Sequence, residues 1–435
     1  MIVRDPTLKC RSLLVCLAVL VFAACQPFGE EDKPARQELV LRHYFSFSGT
    51  FSRTMDSLGE DFNRSSLIHA LRSEAVDHES FKRNILEDLN QGKTADLYSY
   101  WAGARVQAIV GKLAPIDGVL TVPEMNALFG SAIVQSACTY DGRVYLLPLT
   151  QHYVGFFYNK KVFKDHGLEP PKNWQEFLLL GRKLKSQGIT PVALGAKAKW
   201  PAQFWFDYLL LRTAPLSYRQ KLMAGEASLT DPEVMRVFAL WNDLIKAGMF
   251  NANPGALEFD SGAAGLVYRG EAAMTLMGTW LMGYFNAPEQ NWHENQDYGF
   301  FSFPEVNPGV PLVALGPIDG LVLPVAAANP EGAKTVLRYF SSAAAQVTIS
   351  RATGSFAPNL VVAERHYSPM QQMIRGDIAR TSAWAFNYDL ATAPERAEIG
   401  LQLFADFLQN PAQYPGLLKE AQARMARIPS AAQGR

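Results

Sequence analysis

The chain has 435 residues, with 41 basic and 41 acidic side chains and a formal net charge of zero. That balance supplies no field able to hold a polyanion, so nucleic-acid binding is excluded as an organising function. With 48% hydrophobic and 11% aromatic residues, a chain this long carries more than one core, and two domains are expected.

Arg4, Lys9 and Arg11 precede an unbroken apolar run, Leu13 to Ala24, which ends at Cys25. A basic start, a short apolar stretch and small residues before the cut predict a secretory signal over 1–24. The run is too short for a permanent membrane span. The cysteine directly after two alanines resembles the lipoprotein form of such a signal, in which Cys25 becomes the lipidated first residue. Residues 25–37, polar and proline-containing, read as a flexible tether. Arg4, Lys9, Arg11 and Asp5 leave with the signal, taking 41 basic and 41 acidic residues to 38 and 40. Cys10 and Cys16 leave as well, so with Cys25 acylated only Cys138 remains. It sits in an apolar context and reads as a small core residue. No cysteine pair has metal or redox spacing, and neither a metal nor a cofactor is expected.

Beyond the tether the pattern alternates strand and helix. Leu39 to Phe47 is a β-rich run, followed by helical spacing over Asp56 to Asn63 and at Phe81, Ile85 and Leu89. Ala95 to Tyr100 is a strand that delivers Trp101 into a glycine-containing loop. Tyr140 to Phe163 opens with the Asp141-Gly142 turn. It then runs extended through Pro148, which cannot donate to a ladder, and restarts as an aromatic strand at Val154. We read this stretch as a crossover between two lobes, with Gln151, His152 and Tyr153 where they meet. Asn173 with Glu176 opens a helix over Trp174 to Gln187, and Asp231-Pro232-Glu233 opens another with a stripe of Val234, Val237, Trp241, Leu244 and Ile245. Thr190 to Leu194, Ala272 to Met277 and Asp319 to Ala326 are strands. Asn329 caps a helix to about Ser341, and Trp384 to Leu408 reads as a helical tail. Open α/β sheets bind ligands beyond the carboxyl ends of their strands, which marks the regions near Phe47 and Trp101.

Several segments are similar, in order, to one family: Asp96-Leu97-Tyr98 with Trp101, Leu113 to Asp117, Asp141 to Tyr145 through Pro148, and Gly155 to Lys160. Pro171 to Phe177, Trp205 to Leu209, Gly270 to Met274 with Gly278, Thr279 and Trp280, and Gly354 to Pro358 continue it. Together they resemble the extracellular solute-binding proteins of ABC importers, in the carbohydrate-binding family that includes the maltose-binding protein. The resemblance implies a class II-like periplasmic-binding-protein fold, two α/β lobes joined by hinge strands. Lobe 1 is expected over 38–149 plus about 316–358, and lobe 2 over 150–315 plus about 359–435. It further implies an exported, periplasmic or cell-surface monomer, anchored to a membrane by its N-terminal lipid. Such a protein would bind a mono- or oligosaccharide and dock on an ABC permease served by ATPase subunits.

A sugar presents hydroxyls at its rim and an apolar C–H face, so its site needs aromatic platforms and a few planar polar groups. Trp101 and Trp280 are the expected platforms; Trp200 and Trp384 are either platforms or packing, and Phe47 either cleft or core. Gln151, His152, Tyr153, Asp207, Asp319 and Asp389 are the polar and hinge candidates. Asp207 reads equally as a helix cap or a partner of Arg212, Asp389 as the cap of the terminal helix, and Asp319-Gly320 as a turn. Trp174, Trp205 and Trp241 stand at helical spacing and are expected in the core. No nucleophile-elbow or zinc-hydrolase motif occurs, and Gly92-Lys93-Thr94 lacks the first glycine of a phosphate loop. An enzyme is therefore not expected. The alternatives are a glycoside hydrolase of the envelope, which needs only two carboxylates, and a sugar-sensing lipoprotein.

Overall fold

The computed structural model describes residues 36–428 apart from 47 and 48, so the signal, most of the tether, Cys25 and Phe47 lie outside the described residues. Along the chain come β1 (Gln37–His43), β2 (His69–Ala75), β3 (Leu97–Trp101), β4 (Leu113–Ala114), β5 (Thr139–Tyr140), β6 (Arg143–Val144) and β7 (Leu146–Gln151). They are followed by β8 (Val154–Asn159), β9 (Thr190–Ala193), β10 (Ala272–Gly278), β11 (Tyr298–Phe301), β12 (Val313–Leu315), β13 (Ile318–Pro324) and β14 (Ala383–Ala385).

β5-β6 and β12-β14 form two-stranded pairs of their own, and two larger sheets hold the other ten. The first has the order β2-β1-β3-β13-β4, with β7 also paired to β13. Here β1 is parallel to β2 and β3, while β13 runs antiparallel to β3, β4 and β7. The second has the order β11-β8-β10-β9. Every residue of β3, β10 and β13 is buried, as expected of strands covered by helices on both faces. The apolar side chains accordingly divide into two cores. One is built from Leu39 to Leu149 with Ile318 to Ile349 and Leu390, the other from Tyr153 to Leu315 with the remaining buried apolar residues of 356–425. The protein is a two-lobe α/β molecule.

Local chemistry explains the elements that frame the cleft. Asp77 caps helix His78–Gln91 by accepting from Ser80 N at 2.9 Å, and Phe81, Ile85 and Leu89 form its buried stripe. That register leaves His78 and Lys82, one turn apart, beside each other at the helix start. Asp141 (φ +48°) and Gly142 (φ +79°) both adopt left-handed backbone, as a two-residue hairpin between β5 and β6 requires. Asn173 caps Trp174–Ser186 through Glu176 N at 3.0 Å, and Asn329 caps Pro330–Phe340 through Gly332 N at 2.9 Å. Trp205, Trp241 and Cys138 are fully buried.

The lobes are joined where three chain segments cross side by side. Gln151 and Phe356 exchange backbone hydrogen bonds (2.9 and 2.7 Å), and His152 N donates to the Pro317 carbonyl at 3.0 Å. A Cβ on Gly316 would overlap the His152 carbonyl oxygen, so only glycine lets the two crossings lie this close. The C-terminal segment, expected as a helical tail to Leu408 with Trp384 and Asp389 ahead of the helix, is more divided than that. Ala383–Ala385 is instead a strand pairing β12, a short turn follows at Tyr388–Ala391, and the long helix begins only at Pro394. Proline is at home in the first helical turn and disfavoured further in, which sets that start.

Candidate functional site

The cleft between the lobes encloses a cavity of about 700 Å³, counting its open mouth. Its lobe 1 wall is supplied by the ends of β1, β3 and β13 and by the start of helix His78–Gln91. These bring in Tyr44, Phe45, Trp101, Asp319, His78 and Lys82, with Arg105 from the short helix Ala104–Ile109 after β3. Its lobe 2 wall is formed by Trp200, Gln203, Phe259, Trp280, Asn387 and Asp389, with His152 and Pro317 on the crossing segments. Strand ends build most of the first wall, as the α/β rule predicts.

Aromatic rings dominate the surface. Trp101 stacks on Tyr44 with centroids 4.0 Å apart and planes at 20°, and the Arg105 guanidinium lies 5.4 Å from its ring centre. Trp280 is half-buried, meets His152 edge-on at 5.4 Å, and lies 6.0 Å from both Trp200 and Phe204. The six-membered edge of Trp280 folds back over Gly278, where any side chain would collide with it. Trp200 also reaches across the cleft to His78, 6.0 Å between ring centres.

The polar groups among these rings are incompletely satisfied. Among the described residues Arg105 Nε and Asn387 Oδ1 are buried with no hydrogen-bond partner, and Tyr44 Oη and Asp319 Oδ1 have none but each other, without hydrogen-bond geometry; all four residues line this cavity. Buried polar atoms are ordinarily paired, and orphans cost free energy unless something arrives to meet them. Asp319 Oδ2 accepts from Thr150 Oγ1 at 3.1 Å. Burial pushes the Asp319 carboxyl up to about 7, against the hydrogen bond from Thr150 and the nearby Tyr44 hydroxyl. Arg105 donates to Asp389 Oδ2 at 3.0 Å across the cleft, and Asp389 N donates to Gln203 Oε1 at 2.9 Å. Lys82 donates to Glu79 at 2.8 Å. Each cation on the wall therefore has its own carboxylate. Burial lowers His152 to about 3, so its imidazole is neutral, with Nδ1 3.0 Å from Thr279 Oγ1.

Trp101, His152, Trp200, Trp280, Asp319 and Asp389 thus converge on one cavity. The other expected site residues stand elsewhere. Asp207 is fully buried in lobe 2, ion-paired with Arg219 rather than Arg212 and accepting from Tyr388 N at 2.8 Å. Trp384 sits on β14 with its indole N–H donating to the Gly316 carbonyl at 2.9 Å, so it props the hinge from behind. Tyr153 points into lobe 2, its hydroxyl 3.1 Å from Ser302 Oγ, and Gln151 contributes its backbone to the hinge bridge. Sequence reasoning missed Tyr44, Arg105, Lys82, Gln203 and Asn387. Tyr44 directly follows β1 and Arg105 follows β3 by four residues, so the strand-end rule could have reached both.

A family profile described as bacterial extracellular solute-binding protein matches residues 50–347. The chain belongs to that family. This solute-binding protein is 30% identical over 344 residues to an uncharacterized ABC transporter extracellular-binding protein of Pyrococcus horikoshii, spanning 77% of this chain and 75% of the relative. It is 23% identical to the multiple sugar-binding protein of Streptococcus mutans serotype c, across 83% and 85% of the two chains. Among solved structures, the bacterial solute receptor AcbH, described as preferring β-D-galactopyranose, superposes with a TM-score of 0.83. Identity there is 28%, over 90% of this chain and 99% of that one. Family membership makes this an exported binding protein of an ABC system. Among the described residues no helix is long and apolar enough to cross a membrane.

Proposed function

We propose that this protein captures a neutral sugar in the interlobe cavity and delivers it to an ABC permease. The observation that carries the reading is the set of four orphaned polar atoms, on Tyr44, Arg105, Asp319 and Asn387, set among the rings of Trp101, Trp200 and Trp280. A carbohydrate meets both needs at once, hydroxyls for the orphans and a C–H face for the rings. Net charge on the wall is small because Arg105 and Lys82 are each paired, which suits an uncharged ligand. The sugar-binding names of the Streptococcus relative and of AcbH support the same class. Trp101, His152, Trp200, Trp280, Asp319 and Asp389 would be the contact residues. Closure about the 151–153, 316–317 and 354–356 crossings would bring both walls onto the ligand, stabilising the closed form by its contacts to each.

We take lobe 1 as 38–149 plus about 316–358, lobe 2 as 150–315 plus about 359–435, the mature protein as a monomer, and Cys25 as its lipid attachment. Mass spectrometry of the membrane-extracted protein tests the last point: an acylated N-terminal peptide beginning at Cys25 is expected. A thermal-shift screen against a sugar library tests the function, since a ligand that binds only the native state raises its Tm. A pentose or hexose, free or within an oligosaccharide, should give the largest rise. No rise with any sugar, alongside one with an amino acid or an anion, refutes the reading.

One feature favours a second reading, a carbohydrate-cleaving enzyme: Asp319 and Asp389 place two carboxyls in one cavity, the residue type glycosidases use. Oligosaccharides incubated with the protein should be recovered intact; released reducing ends would favour the enzyme.

A further inference from the structure

Asp389 reaches Arg105 across the cleft only because the turn carrying it is held from below. The turn Tyr388–Ala391 is fastened to lobe 2 through its backbone: Tyr388 N donates to Asp207 Oδ2 at 2.8 Å and Asp389 N to Gln203 Oε1 at 2.9 Å. Asp207 is itself fixed, its Oδ1 accepting from Arg219 Nη2 at 2.6 Å, and the same nitrogen donates to the Phe386 carbonyl at 2.6 Å. Arg219 and Asp207 are both fully buried. One guanidinium and one carboxylate therefore grip the chain on either side of Asn387, and residues 386–389 have little freedom left.

The outer side of the turn belongs to the other lobe. Leu390 is buried within the core of lobe 1, Gly103 packs so closely against the Leu390 carbonyl that a Cβ there would overlap it, and Arg105 takes Asp389 Oδ2. Opening the cleft must break these contacts or pull the turn from its lobe 2 seat. The seat carries the buried ion pair; the outer contacts are one ion pair, Leu390, the Phe386 ring against the lobe 1 core and van der Waals packing.

We propose that the turn Tyr388–Ala391 is the latch of the closed form, and that Asp207, through Arg219, is the positioning residue that presents Asp389 and Leu390 to lobe 1. The proposal rests on lobe closure but not on the nature of the ligand, so it can fail while the sugar reading stands, and the reverse. Asp207 touches no ligand in this scheme. Its effect passes through Asp389 to Arg105.

The test measures the ligand-free protein. Glu87→Cys on lobe 1 and Arg182→Cys on lobe 2, both exposed positions, carry nitroxide labels whose separation is read by pulsed electron resonance; Cys138 is buried and does not compete. The wild-type background should populate the short, closed distance. Arg105→Gln should lower the closed-to-open ratio about tenfold, and Asp207→Asn by a similar factor, with the double variant no worse than either alone, as residues acting on one contact are non-additive. Losing one partner of a buried pair can prevent folding, so Arg219→Lys serves as the second variant. It keeps the charge beside Asp207 but cannot also reach the Phe386 carbonyl as a fork does. It should fold and lower the ratio several-fold, in the sense of Arg105→Gln. A lowered Tm with the closed population intact makes Asp207 and Arg219 merely structural and overturns the proposal. So does a double variant whose losses multiply, or a wild-type protein that never visits the closed distance.

Discussion

The two walls of the cavity are built on different principles. Lobe 1 supplies most of the unmet polarity: Tyr44 Oη, Arg105 Nε and Asp319 Oδ1 are three of its four orphaned atoms, with Lys82 close by. Lobe 2 contributes chiefly ring surface, from Trp200, Trp280 and Phe259, with Asn387 Oδ1 the fourth orphan. Hydrogen bonds are directional and apolar contact is not. The first wall can therefore orient a ligand and tell one arrangement of hydroxyls from another, while the second rewards any apolar face brought against it. Even the two tryptophans behave differently. Trp101 already has a face covered by Tyr44 at 4.0 Å, whereas Trp280 is half-buried and met mainly by ring edges.

That contrast is broken most directly by removing each tryptophan. Trp280→Ala should weaken sugar binding about 100-fold, the loss of a buried aromatic contact of about 3 kcal/mol, while Tm falls only slightly. Trp101→Ala should lower Tm as much as affinity, because it also strips Tyr44 of its stacking partner and opens a hole in the lobe 1 core. Calorimetric titration beside a melting curve for each variant decides the matter. Equal stability losses in the two would mean that Trp280 is a packing residue too.

On the polar wall, Asp319→Asn should cost about tenfold in affinity, the range for a hydrogen bond to a group able to carry charge, and should alter ligand-free stability with pH. The Asp319 carboxyl lies at about 7 in the folded protein against an ordinary 3.8. Between those values the folded state binds the proton and the unfolded state does not, so this residue makes stability fall as pH rises from about 4 to about 7. His43 and His152 act oppositely across most of that window, up to the ordinary 6.5. Burial takes them to about 4 and about 3, so the stability of their neutral forms, complete above the ordinary 6.5, is lost as pH falls. The net curve hides both effects, and the wild-type-minus-Asn difference exposes one. It should shrink steadily as pH climbs from 4 to 7; a flat difference would mean that Asp319 is not held protonated.

How legible this was in the sequence follows the same divide. The two-lobe α/β fold could be read because strands and helices alternate with clear caps and turns, and because the apolar run holding Pro148 gives way at 151–153, where the chain passes from β7 to β8. Trp101 and Trp280 were reachable because strand ends in such folds face the ligand, and Asp319, at the start of β13, because it stands beside the second crossover. Tyr44, Arg105 and Asn387 were not singled out, since nothing in their local pattern marks an orphaned atom; that property arises only when the lobes meet. Asp207 and Trp384 show the converse. Each has the residue type of a sugar contact, yet Arg219 and the Gly316 carbonyl, partners remote in sequence, turn them into supports. The tail's helix with Trp384 and Asp389 ahead of it was legible, but β14 was not, because Ala383–Ala385 is too short to show a period.

His152 stands on the crossing between the walls, and the smallest expected effect belongs to its partner. Tyr153 N donates to Thr279 Oγ1 at 3.4 Å, which leaves the threonine hydroxyl proton for His152 Nδ1 at 3.0 Å. We expect the hydroxyl to give that proton to Nδ1, which would put the imidazole proton on Nε2 and make His152 a donor. Thr279→Val keeps the shape, removes both bonds, and frees the ring to take either tautomer. A loss of about 1 kcal/mol, roughly fivefold in affinity, is expected, with nitrogen NMR of the imidazole reporting a mixture where the parent shows one form. An unchanged affinity despite a mixed tautomer would remove His152 from the binding wall and leave the lobe 1 groups alone to choose among sugars.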